Sequence, residues 1–267
     1  MHQCDLFRAF WLTGLAGALC AAAALGADEG AAPTAAPAAR PAPGKPDLPE
    51  GWRLLYSQAF DQEAALGDFE FSDPKQWRWT PRDGDGCLEA LPKGTYRPKL
   101  RSPFVIALLR DRVFRDFILE ADLLQTSKEY GHRDMCLFFG FEAVARYYYA
   151  HLGTRHDTAS HNVMIVNEAP RKAVTAKATA GVNWGKDVWH RVRIVRKTAP
   201  GTVEVYFDDM AQPAITAEDK TFLAGRVGAG TFDDCGLVDN LRIWGPAVEE
   251  AKTADVFRPA AHGEKKP

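Results

Sequence analysis

The segment Asp116–Thr126, which reads DFILEADLLQT, alternates between apolar and polar residues with a period of two. The odd-numbered positions from Phe117 to Leu123 are all apolar, whereas the even-numbered positions include the carboxylates Glu120 and Asp122. Side chains on an extended strand point to opposite faces in turn, so this pattern predicts a strand with one buried face and one polar face.

Further short segments of this kind follow one another, separated by Gly, Pro, Asn or Asp. The predicted strands are Arg53–Ala59, Trp77–Thr80, Phe104–Leu109, Phe117–Gln125, Met135–Phe141, Arg146–Leu152, His161–Val166, Trp189–Arg196, Val203–Phe207, Gly225–Gly230 and Leu241–Trp244. Helical signals are limited to Gln62–Leu66 and Ala217–Phe222. The sequence therefore predicts an all-β, two-sheet antiparallel jelly-roll sandwich.

The two ends of the chain differ in composition from the part between them. Residues 1–26 combine one arginine with an apolar run that ends in small residues, which predicts a secretory signal peptide, with an uncleaved anchor as the alternative. Residues 27–47 predict a flexible Ala/Pro-rich linker, and residues 247–267 a flexible tail. Residues 48–246 are expected to form one domain. The protein is thus expected to be secreted or periplasmic, without membrane contact after signal cleavage.

Charge and cysteine content narrow the classes of partner. The formal net charge is −2, and no basic run with interleaved aromatics occurs, so nucleic acid is not an expected partner. Signal cleavage would leave Cys87, Cys136 and Cys235, without CxxC spacing, and no metal site is predicted from them. Cys136 lies in an apolar segment and is interpreted as a small buried hydrophobe, whereas a Cys87–Cys235 disulfide is allowed in an oxidising compartment.

Three sequence segments in the C-terminal half of the chain occur in a characteristic order. The first, Lys186–Ile194, contains a predicted strand that begins with WH, and the second, Gly201–Asp209, ends in YFDD. The third is the last predicted strand, Asp239–Trp244, which reads DNLRIW and follows Phe232–Asp234. This order resembles concanavalin A-like jelly rolls of the laminin-G type. It is most similar to the bacterial secreted family of 3-keto-disaccharide hydrolase domains, over roughly Trp52–Trp244.

The resemblance implies cleavage of a glycosidic bond in a 3-keto sugar. Such a reaction removes the proton beside the ring carbonyl and then eliminates the glycosidic oxygen, so it needs a base, an enolate-stabilising group and an acid. The residues assigned to these roles are His151 or His161 as base, Arg171 or Arg155 at the oxyanion, and His132 with Asp134 as an accessory acid pair.

A cluster of rings in Arg146–Leu152 is the main candidate for sugar binding. Alternation places Tyr147, Tyr149 and His151 on the face opposite the core. Tyrosine rings stack on sugar C–H faces while OH and NH groups bond to hydroxyls, so this face suits a carbohydrate, and ordinary aromatic packing is the alternative.

The loop GTRHDTAS follows this strand and leads to His161 and Asn162. Two strands joined in this way are expected to pair as a hairpin, which would place His151 beside His161 or Asn162 and bring Arg155 to the same end. His132 and Asp134 share a face and are expected to form a histidine–carboxylate pair, with a surface salt bridge at a turn as the alternative.

Two acidic motifs are weaker candidates. Family-sixteen glucanases carry E-x-D-x-x-E on one strand, but here Gln125 follows Glu120 and Asp122 where the acid should stand, so the match is interpreted as accidental. The stretch Phe232–Asp234 allows a calcium site but lacks the spacing of a dedicated loop. No cofactor is predicted.

The preferred hypothesis is a carbohydrate-active protein that cleaves glycosidic bonds of (3-keto-)glycosides on the concave sheet face, with carbohydrate as partner. Two other hypotheses stay open. The mismatch at Gln125 favours a non-catalytic glycan-binding module, and the Pro-rich linker is compatible with a tethered cell-surface interaction domain.

Overall fold

A computed structural model describes residues 44–92, 94–250 and 252–257. The predicted signal peptide, most of the predicted linker and residues 258–267 lie outside these described residues. The strands, in chain order, are β1 (Arg53–Gln58), β2 (Phe69–Phe71), β3 (Trp77–Arg82), β4 (Asp85–Ala90), β5 (Val105–Leu109), β6 (Arg112–Val113), β7 (Phe117–Gln125), β8 (Asp134–Ala143), β9 (Arg146–Gly153), β10 (Asn162–Asn167), β11 (Lys172–Ala173), β12 (Thr175–Ala178), β13 (Trp189–Lys197), β14 (Thr202–Phe207), β15 (Ile215–Glu218), β16 (Arg226–Thr231), β17 (Gly236–Gly245) and β18 (Glu249–Glu250). Two short 3-10 helices span Glu63–Asp68 and Pro74–Gln76.

Within the described residues the strands form two large antiparallel sheets. The nine-stranded sheet has the order β12-β15-β14-β13-β7-β17-β4-β3, with β1 also paired to β17. The seven-stranded sheet has the order β11-β10-β9-β8-β16-β5-β2, and β6 pairs with β18 apart from both. This arrangement confirms the predicted all-β, two-sheet antiparallel jelly-roll sandwich. Among the described residues no helix has the length and apolar character that a membrane crossing requires.

The inner faces of the two sheets form the main core. Leu119, Ala121 and Leu123 of β7 belong to it, as do Leu137 of β8 and Ala150 of β9, and all are fully buried. Period-two alternation in the sequence thus selected the correct inner set in β7 and β9, because one residue in two faces the opposite sheet.

The outer face of the seven-stranded sheet is also apolar and is covered by protein. Phe138, Phe141, Tyr147 and Tyr149 lie in a second buried cluster on this face. The covering residues, which pack against this cluster, are Leu100, Ala173, Val256 and Phe257. Strand β8 is therefore buried on both sides, as its doubly apolar sequence predicted.

Strand directions bring several connections to one end of the sandwich, which we call the loop end. Strands β7, β9 and β16 finish there, and β8, β10 and β17 begin there, because β9 is antiparallel to β8 and β10, β16 is antiparallel to β8, and β17 is antiparallel to β7. The connecting loops are 126–133, 154–161 and 232–235, and Asp134 lies at their base.

Two details differ from the sequence-based expectations, and one pairing that the sequence allowed does not form. The helical signal at Ala217–Phe222 overlaps β15, which pairs with β12 and β14, because the inward Ile215 and Ala217 complete the core. The stretch expected to begin a flexible tail instead contains β18, paired with β6. No disulfide joins Cys87 to Cys235 within the described residues, and both thiols are buried.

Candidate functional site

Tyr147, Tyr149 and His151 share the outer face of the seven-stranded sheet, as the alternation predicted. Their relative exposures are 1%, 0% and 2%. Tyr147 stacks on Phe141 with ring centroids 4.4 Å apart, and Phe257 packs 6.0 Å from the Phe141 ring. The covering segments therefore leave neither tyrosine ring a face on which a sugar could stack, because a stacking platform must be exposed.

The side chains of Tyr149 and Arg171 form a hydrogen-bonded pair. Arg171 donates from Nη1 to the Tyr149 hydroxyl at 3.0 Å, and its guanidinium carbon lies 4.2 Å from the centre of the Phe232 ring. Burial raises the pKa of Tyr149 well above its ordinary value, with Arg171 opposing the shift. The phenol is thus held as a neutral acceptor for the arginine.

His151 lies beside Asp134 and Cys136 at the loop end. Its Nε2 is 3.1 Å from Asp134 Oδ2, and the Cys136 thiol donates to the same oxygen at 3.1 Å. Burial opposes ionisation of Asp134, yet the facing imidazole and the hydrogen bond from Cys136 hold the pKa of Asp134 below its usual range. This cluster is a concentration of buried titratable groups, which is a feature typical of functional sites.

Asp234 adds a second carboxyl group to the same place. Its Oδ2 accepts hydrogen bonds from the Tyr130 hydroxyl at 2.9 Å and from the Asp134 backbone N–H at 2.8 Å. Burial, followed by the charge of Asp134, raises the pKa of Asp234 to about 8. Two neighbouring carboxyl groups therefore have pKa values shifted in opposite directions.

The predicted pair between His132 and Asp134 does not form. His132 Nε2 instead lies 2.6 Å from Asp157 Oδ2, and Arg155 Nη2 lies 3.4 Å from the same oxygen. Asp134 faces His151 because position 134 belongs to β8, whereas His132 is in the preceding loop and points to loop 154–161. Burial opposes the shift, but backbone N–H groups and His132 lower the pKa of Asp157 to about 2.

The side chains of His161 and Asn162 point to different parts of the structure, although the two residues are adjacent in sequence. Asn162 pairs with His151 in the β9–β10 register, and its amide donates to the Asp157 and Ser160 carbonyls at 2.6 and 2.8 Å. His161 points instead toward Thr179, with Nε2 3.0 Å from the hydroxyl. Of the predicted site residues, Tyr149, His151, Asp134 and Arg171 converge, and His161 does not.

The carboxylates of the glucanase-like motif lie on the outer face of the nine-stranded sheet. Glu120 accepts from Arg193 Nε at 2.8 Å and from Arg242 Nη2 at 3.0 Å, and Asp122 accepts from Arg191 Nε at 3.0 Å. Gln125 lies on the opposite face of the strand, where its side chain forms hydrogen bonds with the Arg133 guanidinium and the Asp134 carbonyl. These buried carboxylates therefore neutralise arginines.

An open groove of about 580 Å³ lies on the nine-stranded sheet, over β12, β15 and β14. Lys177, Thr216 and Glu204 line it and stand opposite one another in register, so they form one row across three strands. Tyr206 lies on the same face and donates its hydroxyl to Glu204 Oε2 at 3.1 Å. The sequence analysis missed this groove because β12 and β15 carry no clear strand signal.

Comparison with known proteins gives a likeness in structure alone. No protein-family model matches the sequence, and no curated protein matches it. Among solved structures the chain is similar to a carbohydrate-binding module (CBM66) from Bacillus subtilis, with 14% identity, a TM-score of 0.47, and coverage of 65% of this chain and 93% of that one.

Two other similar structures are an endo-β-galactosidase from Clostridium perfringens and peanut lectin. The first is 11% identical with a TM-score of 0.49 and covers 78% of this chain and 66% of that one. Peanut lectin is 13% identical with a TM-score of 0.46 and covers 72% of this chain and 97% of that one. At these identities and scores no ligand or activity is carried over to this chain.

Proposed function

We propose that the protein is a carbohydrate-binding protein and that its ligand lies in the groove on the nine-stranded sheet. The observation that carries the proposal is the open volume of about 580 Å³ lined by the row Lys177, Thr216 and Glu204. This volume lies within the range of pockets that hold small molecules, roughly 300–1,000 Å³.

The lining groups suit a hydroxyl-rich ligand. Glu204 offers carboxylate acceptors, Lys177 offers ammonium donors, and the Thr216 hydroxyl can donate or accept. Neighbouring strands are about 4.8 Å apart, so the row presents three hydrogen-bonding groups at regular intervals. The lining includes both a cation and carboxylates, which favours a neutral polyhydroxyl compound over an anion.

Tyr206 supplies an aromatic ring on the same sheet face, two residues from Glu204 along β14. It is half-buried, and its hydroxyl bond to Glu204 fixes the orientation of the carboxylate. An aromatic ring next to oriented acceptors is the combination that binds the apolar face and the hydroxyl edge of a sugar together.

Binding is better supported than cleavage by the geometry. The base assigned to cleavage of 3-keto glycosides is His151 or His161, and both imidazoles are buried, at 2% and 0% exposure. A general base must reach the proton that it removes to within hydrogen-bond distance, directly or through one water. The groove, in contrast, is open to solvent, so a glycan can enter it without movement of the chain.

We expect Glu204→Ala to weaken glycan binding about 10- to 100-fold, because hydrogen bonds to a charged acceptor contribute about 1.5–3 kcal/mol. The ligand is first identified by applying the labelled full-length protein to a glycan array. The affinity of the selected glycan is then measured by calorimetry for the wild type and the variant. Glu249→Ala, an exposed glutamate on β18 outside the groove, is the matched control and should bind as the wild type does.

Two outcomes would contradict the proposal. Equal affinities for Glu204→Ala and the wild type would exclude the groove as the binding site. Release of aglycone from a 3-keto-glucoside by the wild type, abolished in His151→Gln and retained in Glu204→Ala, would instead support cleavage at the loop end.

A further inference from the structure

The donor atoms of Asp134, Cys136 and His151 form a compact buried group at the loop end. Asp134 and Cys136 are two residues apart on β8 and share its outer face, while His151 stands directly opposite Cys136 in the β8–β9 register. One carboxylate oxygen, the thiol sulfur and one imidazole nitrogen all lie within 4.8 Å of one another. Donor atoms of a tetrahedral metal site are about 3–4 Å apart, so small side-chain adjustments would complete the geometry.

The His151 ring gives an independent indication of a missing partner. The side chain is almost fully buried, and neither ring nitrogen has a hydrogen-bond partner among the described residues. Nε2 is 3.1 Å from Asp134 Oδ2, but the contact does not have the geometry of a hydrogen bond. Buried polar nitrogens without partners are costly and uncommon in folded proteins, whereas a metal ion would satisfy this imidazole.

Further oxygen donors lie next to this group. Asp233 and Asp234 each bring a carboxylate oxygen within 4.8 Å of a carboxylate oxygen of Asp134. Asp233 is exposed and Asp234 is buried, so these carboxylates extend from the surface to Asp134. Asp234 is therefore the nearest candidate for a fourth ligand.

We infer that Asp134, Cys136 and His151 bind a transition-metal ion of the Zn²⁺ type. Thiolate sulfur and imidazole nitrogen are ligands that Zn²⁺ prefers, whereas Ca²⁺ takes oxygen ligands, so this donor set selects against the calcium site that the acidic stretch allowed. On binding, the Cys136 thiol loses its proton to solvent, and its hydrogen bond to Asp134 is replaced by coordination. The inference is independent of glycan binding in the groove.

The test uses Co²⁺ as a spectroscopic replacement for Zn²⁺. The full-length protein, stripped with a chelator and kept reduced, is incubated with Co²⁺ until the absorbance is constant, and bound metal is counted after desalting. We expect one Co²⁺ per chain and a near-ultraviolet charge-transfer band, which reports a cobalt–thiolate bond. Cys136→Ser should remove the band and weaken Co²⁺ binding at least tenfold, because the hydroxyl is a poorer ligand than the thiolate.

Cys87→Ser is the matched control, since Cys87 is also a buried cysteine but lies on the nine-stranded sheet. It should keep both the band and the stoichiometry. If Cys136→Ser fails to fold, His151→Gln provides the second variant, and it should lower the affinity by a similar factor while keeping the protein folded by circular dichroism. Absence of a thiolate band in the wild type, or a band that persists in Cys136→Ser, would overturn the inference.

Discussion

Glu120→Ala is expected to destabilise the protein by about 3 kcal/mol, although Glu120 lies on the outer face of its sheet. The carboxylate is 1% exposed and bonds to Arg193 and to Arg242, so its removal leaves two guanidinium groups without their counter-charge. Removing one partner of a buried ion pair lowers the free energy of unfolding by about 3–5 kcal/mol. Because both arginines are partly exposed, we expect a loss at the lower end of this range. Urea unfolding followed by tryptophan fluorescence measures it.

Glu89→Ala is the matched control on the same sheet face. Glu89 forms an ion pair with Arg78 at 2.6 Å, comparable to the two contacts of 2.5 and 3.0 Å that Glu120 makes, but 58% of the Arg78 side chain is exposed. Surface pairs of this kind contribute about 0–1 kcal/mol because water screens them. Burial rather than distance therefore decides the difference. A loss below about 1 kcal/mol for Glu120→Ala would refute the structural role of this carboxylate.

His161 is expected to make the protein less stable in acid by about 3 kcal/mol between pH 6.5 and pH 4. Burial, followed by repulsion from His156 and His151, lowers the pKa of His161 from 6.5 to about 4. In this window the unfolded chain binds a proton at His161 and the folded protein does not, so stability falls as pH falls. Well above pH 6.5 neither state is protonated at His161, and the effect vanishes.

His161→Asn isolates this contribution. Residue 161 has a φ of 54°, a left-handed conformation that asparagine tolerates better than most residues, and the Asn amide has no group that titrates between pH 4 and pH 7. Urea unfolding of both proteins at pH 7 and pH 4 gives the comparison. The variant should lose about 3 kcal/mol less than the wild type on acidification. Parallel losses in the two proteins would show that His161 is not kept neutral by its surroundings.

The sequence predicted the sandwich and the faces of its central strands well, for a physical reason. In β7 the inward Leu119 and the outward Glu120 differ in polarity, and the period of two follows directly from strand geometry. In contrast, no periodic pattern in the sequence predicts that Leu100 and Phe257 cover the outer face of the seven-stranded sheet. The tyrosines that alternation placed correctly on this face were for that reason interpreted as exposed, although they are buried.

Candidate-site residues were predictable where strand pairing dictates their neighbours and unpredictable where loops do. The hairpin of β9 and β10 placed Asn162 beside His151 as expected. The partner of His132 is Asp157, which lies in another loop, and no spacing rule connects the two. Cys136 and His151 are distant in sequence and meet only through the pairing of β8 with β9. A search for close cysteine spacing therefore gave no metal site.

The groove on the nine-stranded sheet is the centre of the functional account, and chemical-shift mapping of the isotope-labelled protein tests it most directly. Titration with the glycan selected on the array should shift the amide signals of Lys177, Glu204 and Thr216 while those of Tyr149 and His151 stay unchanged. Shifts confined to Tyr149 and His151, with the groove signals unmoved, would contradict the account and place the ligand at the loop end.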